Sequence, residues 1–410
     1  MTKILIKNIH LVNVRKEHKL LRGQELAQLP IIHDGYIFIE NGKIKNYGSM
    51  ENIPFGIEVE SIDGEGRYLL PSWCDSHTHL VFAKSREEEF IDKIKGLSYA
   101  EIAAKGGGIL NSARKLQKTP EDDLFKTAKE RLDEVIQMGT GAIEIKSGYG
   151  LTVEAELKML RVIQRLKKVS PIPIKATFLG AHAFPESYRT NKEGYIQLIL
   201  NEMLPEIEKE GLADYIDVFC ESNFFSVKDT ERICKAGIER GLKPKIHANQ
   251  LNASGGTEIG VKLGAISVDH LETMNESALK ALSNSNTIGT MLPSAAFYLR
   301  MGYPPVREMI DRNCALALAT DYNPGSSPSG NMNLLFSLAC IQMKMLPAEA
   351  INCMTLNGAY AMELEQEVGS ITQGKRANFI LTKKIPSLHY LPYAFGANHI
   401  EKIMVNGVFL

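Results

Sequence analysis

The sequence has no long apolar run and no paired cysteines, and each absence excludes a class of protein. No run of 18 apolar residues occurs in the 410-residue chain, which excludes an ordinary membrane-spanning helix. The amino-terminal MTKILIKNIHLVNV lacks the apolar stretch of a secretion signal. The six cysteines stand apart, with no C-x-x-C pair, which favours buried reduced thiols over disulfides or a zinc knuckle. We therefore predict a cytoplasmic protein that does not bind membranes.

The chain also lacks an excess of charge of either sign. Lys and Arg (47) nearly balance Asp and Glu (48), and no basic stripe or charge block stands out. Nucleic-acid-binding proteins usually carry a basic patch, which this sequence lacks. We therefore expect the protein to bind a small molecule or a second copy of the chain. No G-x-G-x-x-G follows an early strand, which disfavours an open, doubly wound sheet that binds a dinucleotide.

Both ends of the chain have the pattern of short β-strands. Asn41-Gly42 separates two apolar runs, and Asn406-Gly407 does the same near the carboxyl end; this dipeptide is typical of tight β-hairpins. Because chain termini commonly lie close together, we expect the two arms to pair. The prediction is a composite β-sandwich domain built from residues 1–66 and 365–410.

The middle of the chain, residues 67–364, alternates eight predicted strands with helices. The stretches 122–139, 152–169 and 227–241 carry apolar residues at the three- and four-residue spacing of helices. This alternation favours an α/β fold of the TIM-like (β/α)8 barrel type over an open sheet. The candidate strands end within 76–80, 142–148, 176–182, 216–222, 244–250, 266–272, 287–292 and 316–325.

Metal-binding residue types occur at the carboxyl ends of these predicted strands. In a parallel barrel these ends all lie on the same face. His77 and His79 are two residues apart, so both imidazoles point to the same side of a strand. Imidazole suits zinc or iron(II), and a carboxylate can complete the ligand set. An isolated His-x-His pair usually occurs by chance and binds no metal. Here the ends of later strands add further candidate ligands, which favours a metal site. These are His182, His247, His270 and Asp321.

Two of these residues could move protons. A metal ion with an open coordination position lowers the pKa of bound water to about 7. Asp321 could take that proton and later pass it to a leaving nitrogen. A lone histidine such as His270 is more often a hydrogen-bonded core residue, but at this mouth we favour a role in proton transfer without direct ligation.

Three further features could position a substrate. Arg86 follows the histidine pair and could clamp a carboxylate, although a solvated charge among three glutamates is the simpler interpretation. Tyr149 lies in the glycine-flanked loop KSGYG at a predicted strand end, where loops often carry function. The segment DYNPGSSPSG (321–330) is too rich in Gly, Pro and Ser to be helical, and it offers backbone N–H groups and hydroxyls beside Asp321.

Motifs along the whole chain resemble the amidohydrolase superfamily and, within it, the imidazolonepropionase family. His-x-His alone would indicate only the superfamily, whereas EIKSGYGL, TFLGAHAFP and ATDYNPGSSP together resemble the narrower family. LLPSWCDSHTHLVFAKSREEEF, HANQLNASGG and SVDHLE add to the likeness. The resemblance implies a barrel enzyme of histidine degradation that hydrolyses 4-imidazolone-5-propionate to N-formimino-L-glutamate. A metal-bound hydroxide would attack the lactam carbonyl, with Asp321 and His270 handling protons.

The resemblance also implies roles for individual residues. One zinc or iron ion per subunit is held by His77, His79, His247 and Asp321. The implied substrate-binding residues are Arg86, Tyr99, Tyr149, His182 and Gln250, together with Asn323, Gly325 and Ser326 in the loop after the last strand. A homodimer is implied by the family alone.

The chain departs from the family pattern at a few positions, and three rival interpretations stay open. Ser72 and Asn378 replace a more usual Gly and Asp, and Gln250 stands where some members have Glu, which weakens any scheme with a base at that position. A two-metal relative such as a dihydroorotase needs a lysine on the fourth barrel strand, and IDVFCES has none. A guanine or cytosine deaminase shares His-x-His and the late Asp. A non-catalytic barrel scaffold is the third alternative.

Overall fold

A computed structural model describes residues 3–53, 59–97, 101 and 107–410, which form two sheets and the helices around them. The first sheet comprises β1 Lys3–Val12, β2 Ile31–Glu40, β3 Lys43–Ser49, β4 Glu60–Asp63, β5 Tyr68–Pro71, β14 Phe379–Thr382, β15 Ile400–Val405 and β16 Val408–Phe409. The second comprises β6 Trp73–Asp75, β7 Thr140–Lys146, β8 Ile174–Ala181, β9 Tyr215–Cys220, β10 Lys243–Ala248, β11 Ser267–His270, β12 Ile288–Met291 and β13 Leu316–Leu318.

Fifteen α-helices occur in the described part of the chain. They are α1 Glu87–Ile94, α2 Ile109–Lys118, α3 Glu121–Gln137, α4 Val153–Val169, α5 Lys192–Leu198, α6 Leu204–Glu210, α7 Val227–Ile238, α8 Gly256–Lys262, α9 Glu276–Ser283, α10 Pro293–Leu299, α11 Val306–Asp311, α12 Met332–Ile341, α13 Pro347–Met354, α14 Leu356–Tyr360 and α15 Tyr390–Tyr393. A π-helical segment, Ile199–Met203, joins α5 to α6, and single 3-10 turns lie at Gly23–Ala27, Met50–Asn52 and Glu186–Tyr188.

The two arms of the chain pair into one sheet, as the sequence predicts. Its strand order is β16-β15-β14-β5-β1-β2-β3, with β4 also paired to β1. Both predicted Asn-Gly hairpins form, and each turn residue has the positive φ that Asn and Gly tolerate. A Cβ added to Gly42 would lie 2.8 Å from the carbonyl oxygen of Asn406, so the two hairpin turns touch. The sheet therefore curls around its own apolar cluster. Strand β5 belongs to this sheet although it lies beyond residue 66.

The second sheet is the predicted barrel of eight parallel strands, in the order β6 to β13. A parallel bridge between Thr78 and Tyr322 joins its first and last members just beyond their ends. Two backbone hydrogen bonds reinforce this closure: His79 N–H donates to the Tyr322 carbonyl at 2.8 Å, and Asp321 N–H donates to the His77 carbonyl at 3.0 Å. Closure of the barrel therefore places the His-x-His pair directly beside Asp321.

Amphipathic helices cover the outside of the barrel. On α3, the buried side chains Leu124, Ala128 and Leu132 recur every four residues and pack against the strands. Burial of each such leucine stabilises the fold by about 1.5–3 kcal/mol. The three helices predicted from periodicity correspond to α3, α4 and α7. All six cysteines are free, and five of them are buried, as predicted. Within the described residues, no helix has the length and apolarity needed to cross a membrane.

Candidate metal centre and active site

Four side chains predicted to bind a metal converge at the mouth of the barrel. His77 Nε2 and His79 Nε2 lie 3.5 Å and 3.4 Å from Asp321 Oδ1. His247 Nε2 lies 3.4 Å from His79 Nε2. All four side chains are buried. Three imidazole nitrogens and one carboxylate oxygen thus lie close together at one mouth, and these residue types suit a divalent metal ion.

The protonation states of these histidines suit a cation. Burial, aided by neighbouring positive charges, lowers the pKa of His77 and His79 well below the ordinary value, so both rings are neutral. His77 Nε2 finds no hydrogen-bond partner among the described residues, and an unpaired buried nitrogen is costly. Burial raises the pKa of Asp321 to about 6, against the effect of His270 and His247. A bound divalent ion would satisfy these groups together.

Two aspartates fix the orientation of the ligand histidines from behind. His77 Nδ1 lies 2.6 Å from Asp269 Oδ2, and His247 Nδ1 lies 2.8 Å from Asp217 Oδ2. A carboxylate accepts the Nδ1–H proton, which leaves the Nε2 lone pair directed at the site. Both aspartates lie on barrel strands, β11 and β9. Sequence reasoning did not single out either residue.

A buried charge cluster lies beneath these aspartates, and we call Glu144, Lys146 and Lys245 the basal cluster. Lys146 Nζ contacts Glu144 Oε1 at 2.7 Å and Asp217 Oδ2 at 2.9 Å, and Asp269 Oδ2 at 3.7 Å. Lys245 Nζ contacts Glu144 Oε2 at 2.5 Å. Burial disfavours the charge on Lys146, but Asp217, Glu144 and Asp269 outweigh it and raise its pKa. The basal cluster therefore holds both aspartates in place.

Asp321 has a strained backbone conformation, and the buried carboxylate of Asp75 holds the residue before it. Its φ of +54° lies in the left-handed region, which a non-glycine residue occupies at a cost. Asp75 accepts hydrogen bonds from Thr320 N–H at 3.0 Å and from Thr320 Oγ1 at 2.6 Å. The residue before Asp321 is thereby pinned to the first strand of the barrel.

His270 lies next to the four candidate metal ligands but is not one of them. The ligating atoms of His77, His270 and Asp321 all lie within 4.8 Å of one another. His270 Nδ1 lies 3.4 Å from Glu272 Oε1, and this carboxylate raises the pKa of His270 despite the opposing effect of burial. His270 therefore lies beside the candidate ligands, and its role in proton transfer stays a prediction.

His182 and Tyr149 form one wall of the mouth. The ring centroids of His182 and His79 are 5.3 Å apart, and those of Tyr149 and His182 are 5.5 Å apart. His182 Nδ1 donates to the Gly148 carbonyl at 3.0 Å, and burial lowers the pKa of His182 to about 3. Its Nε2 is therefore a hydrogen-bond acceptor. Buried Glu156 anchors the loop by accepting from Gly148, Gly150 and Leu151 N–H groups at 2.7–3.0 Å.

The loop after the last strand is organised by Asn323. Its Nδ2 donates to the Asp321 carbonyl at 2.6 Å and to Ser326 Oγ at 2.8 Å. Its Oδ1 accepts from Gly325 and Ser326 N–H groups, each at 2.8 Å. The Asn323 side chain is thus occupied within the loop, and Ser326 Oγ lies 3.5 Å from Asp321 Oδ2. Direct contact of Asn323, Gly325 or Ser326 with a substrate stays a prediction.

Known proteins match both the chain and its fold. Residues 68–410 match the amidohydrolase family profile. The chain belongs to the amidohydrolase family. The imidazolonepropionase of Flavobacterium johnsoniae is 56% identical over 406 residues, 98% of each chain. That of Christiangramia forsetii is 53% identical, covering 98% of this chain and 99% of its own. These relatives place the chain among the imidazolonepropionases of the family.

Solved structures of the same fold are more distant in sequence. Escherichia coli guanine deaminase superposes with a TM-score of 0.73 at 14% identity, covering 100% of this chain and 99% of its own. A Clostridium acetobutylicum guanine deaminase with bound guanine gives 0.70 at 16% identity, covering 100% of both chains. At such identities the likeness supports the amidohydrolase fold alone.

Three further residues predicted to bind substrate are Gln250, Tyr99 and Arg86. Gln250 is buried, and the chain that follows it is held by Glu221, which accepts from Leu251 and Asn252 N–H groups at 2.9 Å and 3.1 Å. Tyr99 lies outside the described residues. Arg86 precedes α1 and is largely buried, so the simpler interpretation of a solvated charge is wrong.

The buried charged residues beneath the site were not predicted, although their positions in the strands indicate them. Glu144 and Lys146 alternate with isoleucines in AIEIK, and Lys245 stands two residues before His247. Charged side chains at alternate positions of a buried strand must point into the barrel with the ligands. Asp217 in IDVFC carries the same signal. Lys146 is fully buried.

Proposed function

We propose that this chain hydrolyses the cyclic amide bond of 4-imidazolone-5-propionate to give N-formimino-L-glutamate, a step of histidine degradation. The observation that carries the proposal is the convergence of His77, His79, His247 and Asp321 at one barrel mouth, in a chain more than half identical to imidazolonepropionases over nearly its whole length. One divalent ion, zinc or iron, would be held by those four side chains. When bound, it supplies Lewis-acid activation of water and of the amide carbonyl.

Asp321 and His270 are proposed to move the protons of the reaction. Asp321 Oδ1 lies among the ligand nitrogens, and its other oxygen, Oδ2, points towards Ser326 Oγ. A carboxylate in this position can take a proton from attacking water and return it to the ring nitrogen as the C–N bond breaks. His270, with its raised pKa, lies close enough to Asp321 to hold a proton beside that oxygen.

The pocket walls are proposed to orient the substrate. His182 presents Nε2 as an acceptor for a ring N–H, and Tyr149 stands beside it. The Arg86 guanidinium is proposed to bind the propionate carboxylate, because a planar guanidinium matches carboxylate geometry. Gln250, Asn323, Gly325, Ser326 and Tyr99 are proposed to complete the contacts.

The broader setting is part of the same proposal. We propose a cytoplasmic homodimer with residues 1–66 and 365–410 as a composite β-sandwich domain and residues 67–364 as the catalytic barrel, except that strand β5 joins the sheet of the first domain. A small cyclic amide is the proposed partner, and neither nucleic acid nor membrane is needed for the reaction.

The proposal is tested by following imidazolone-propionate through its ultraviolet absorbance. Purified protein is expected to consume it and to form N-formimino-glutamate in equal amount. The same protein is assayed for ammonia release from guanine and cytosine. Ammonia from either base, without loss of imidazolone-propionate, would establish a deaminase and contradict the proposal.

Replacing Arg86 with Met is expected to raise KM for imidazolone-propionate about 10- to 100-fold, because a charge-assisted hydrogen bond contributes about 1.5–3 kcal/mol. The kcat should change little, since the carboxylate is bound equally in the ground and transition states. The matched control is Arg161→Met, which breaks an exposed pair with Glu210. An Arg86→Met enzyme with the KM of this control would show that Arg86 does not bind the carboxylate.

A further inference from the structure

Arg86 is held on one edge by a neighbouring carboxylate. Its Nε and Nη2 donate to Glu89 Oε2 at 2.9 Å and 2.5 Å. Both side chains are about nine-tenths buried, each 9% exposed, so the pair is poorly screened by water. The guanidinium is therefore fixed in one orientation before any substrate binds.

Glu89 is itself fixed by the start of α2. Its second oxygen, Oε1, accepts from Gly108 N–H at 3.1 Å and from Asn111 Nδ2 at 3.4 Å. One carboxylate thus connects Arg86 at the start of α1 to the beginning of α2. A side chain bonded on both oxygens has little freedom to turn away from Arg86.

The other edge of the guanidinium faces the loop that follows Asp321. A Cβ added to Gly325 would lie 2.1 Å from Arg86 Nη1, so only a glycine leaves room for the guanidinium there. Lys93, also on α1, donates from Nζ to the Gly325 carbonyl at 3.2 Å. Helix α1 is thereby joined to the segment that carries the proposed metal ligand. Glu89 occupies the Nε edge and leaves Nη1 directed towards this loop.

We propose that Glu89 is a positioning residue for carboxylate recognition, which holds Arg86 so that the guanidinium N–H groups that Glu89 leaves unused receive the carboxylate of the substrate beside the Gly325 loop. The inference rests on the proposed function. A pre-oriented guanidinium loses less side-chain freedom on binding, so a fixed Arg86 binds a carboxylate more tightly than a mobile one. The opposite hypothesis is that Glu89 competes with the substrate for Arg86 and is displaced by it.

The test compares Glu89→Gln with Glu88→Gln, a matched control because Glu88 is the preceding residue on the same helix and is exposed. The probes are 4-imidazolepropionate and its primary amide, stable ring compounds that differ only in the carboxylate. Their dissociation constants are measured by calorimetry on the metal-loaded protein. Glu89→Gln is expected to weaken binding of the carboxylate about tenfold and to leave binding of the amide unchanged. KM for imidazolone-propionate should rise with kcat within about twofold.

Two results would overturn the inference. Carboxylate binding by Glu89→Gln that equals or exceeds that of Glu88→Gln would favour competition or no role. Equal weakening for both probes would indicate general damage to the pocket. Failure of the proposed function is a separate result: wild-type protein that does not consume imidazolone-propionate, whatever the two variants bind, would remove the substrate on which the inference rests.

Discussion

Replacing His247 with Ala is expected to remove the bound metal and the activity together. His247 contributes one of three imidazole nitrogens to the site, and its Nε2 lies 3.4 Å from that of His79. Loss of a partner that merely orients a ligand typically costs 10- to 100-fold in metal affinity or activity, so loss of the ligand itself should lower both by at least about 100-fold. Metal content is measured by elemental analysis and turnover by ultraviolet absorbance.

The control for this variant is His389→Ala, which removes an exposed imidazole far along the chain. It should keep wild-type metal content and turnover. Circular dichroism of His247→Ala should show the wild-type fold, because the ring is a ligand at the barrel mouth and its removal leaves the strands paired. Retained turnover with a full complement of metal would contradict the assignment of His247 as a ligand.

Replacing Lys146 with Met is expected to destabilise the metal-free protein by about 3–5 kcal/mol, because removal of one partner leaves buried opposite charges uncompensated. Lys146 lies between Glu144 and Asp217, all three fully inaccessible to solvent. The free energy of unfolding is measured by urea titration after chelation of metal. We also expect weaker metal binding, since Asp217 would no longer be held against His247.

The control for this prediction is Lys129→Met, which breaks a surface pair with Asp133 on α3. An exposed pair of this spacing contributes about 0.3–0.5 kcal/mol. If the two methionine variants unfold at the same urea concentration, the basal cluster does not stabilise the site and its role here is wrong.

Much of the fold could be predicted because its signals are local. The Asn-Gly dipeptides specify both hairpins through the backbone conformation of two residues. Helices α3, α4 and α7 follow from apolar spacing, and parallel strands require that their polar ends share one face. That rule predicts that His77, His79, His247 and Asp321 lie at one mouth, and the family resemblance selects these four as ligands.

The rest depends on contacts between residues far apart in the chain. Lys146 and Asp217 come from different strands, and no pattern within either strand states which charge will neutralise the other. Glu89 is one of three consecutive glutamates, and only the approach of α2 distinguishes it from its neighbours. Asn323 has a similar explanation: its four side-chain hydrogen bonds depend on how the loop closes, and the sequence does not state them.

The most direct test is a titration of metal-depleted protein with zinc or iron(II) while imidazolone-propionate consumption is followed. We predict that activity is absent without metal, rises linearly and reaches its plateau at one ion per chain. A plateau at two ions, or turnover that is indifferent to metal, would contradict a single-ion centre formed by three histidines and one aspartate.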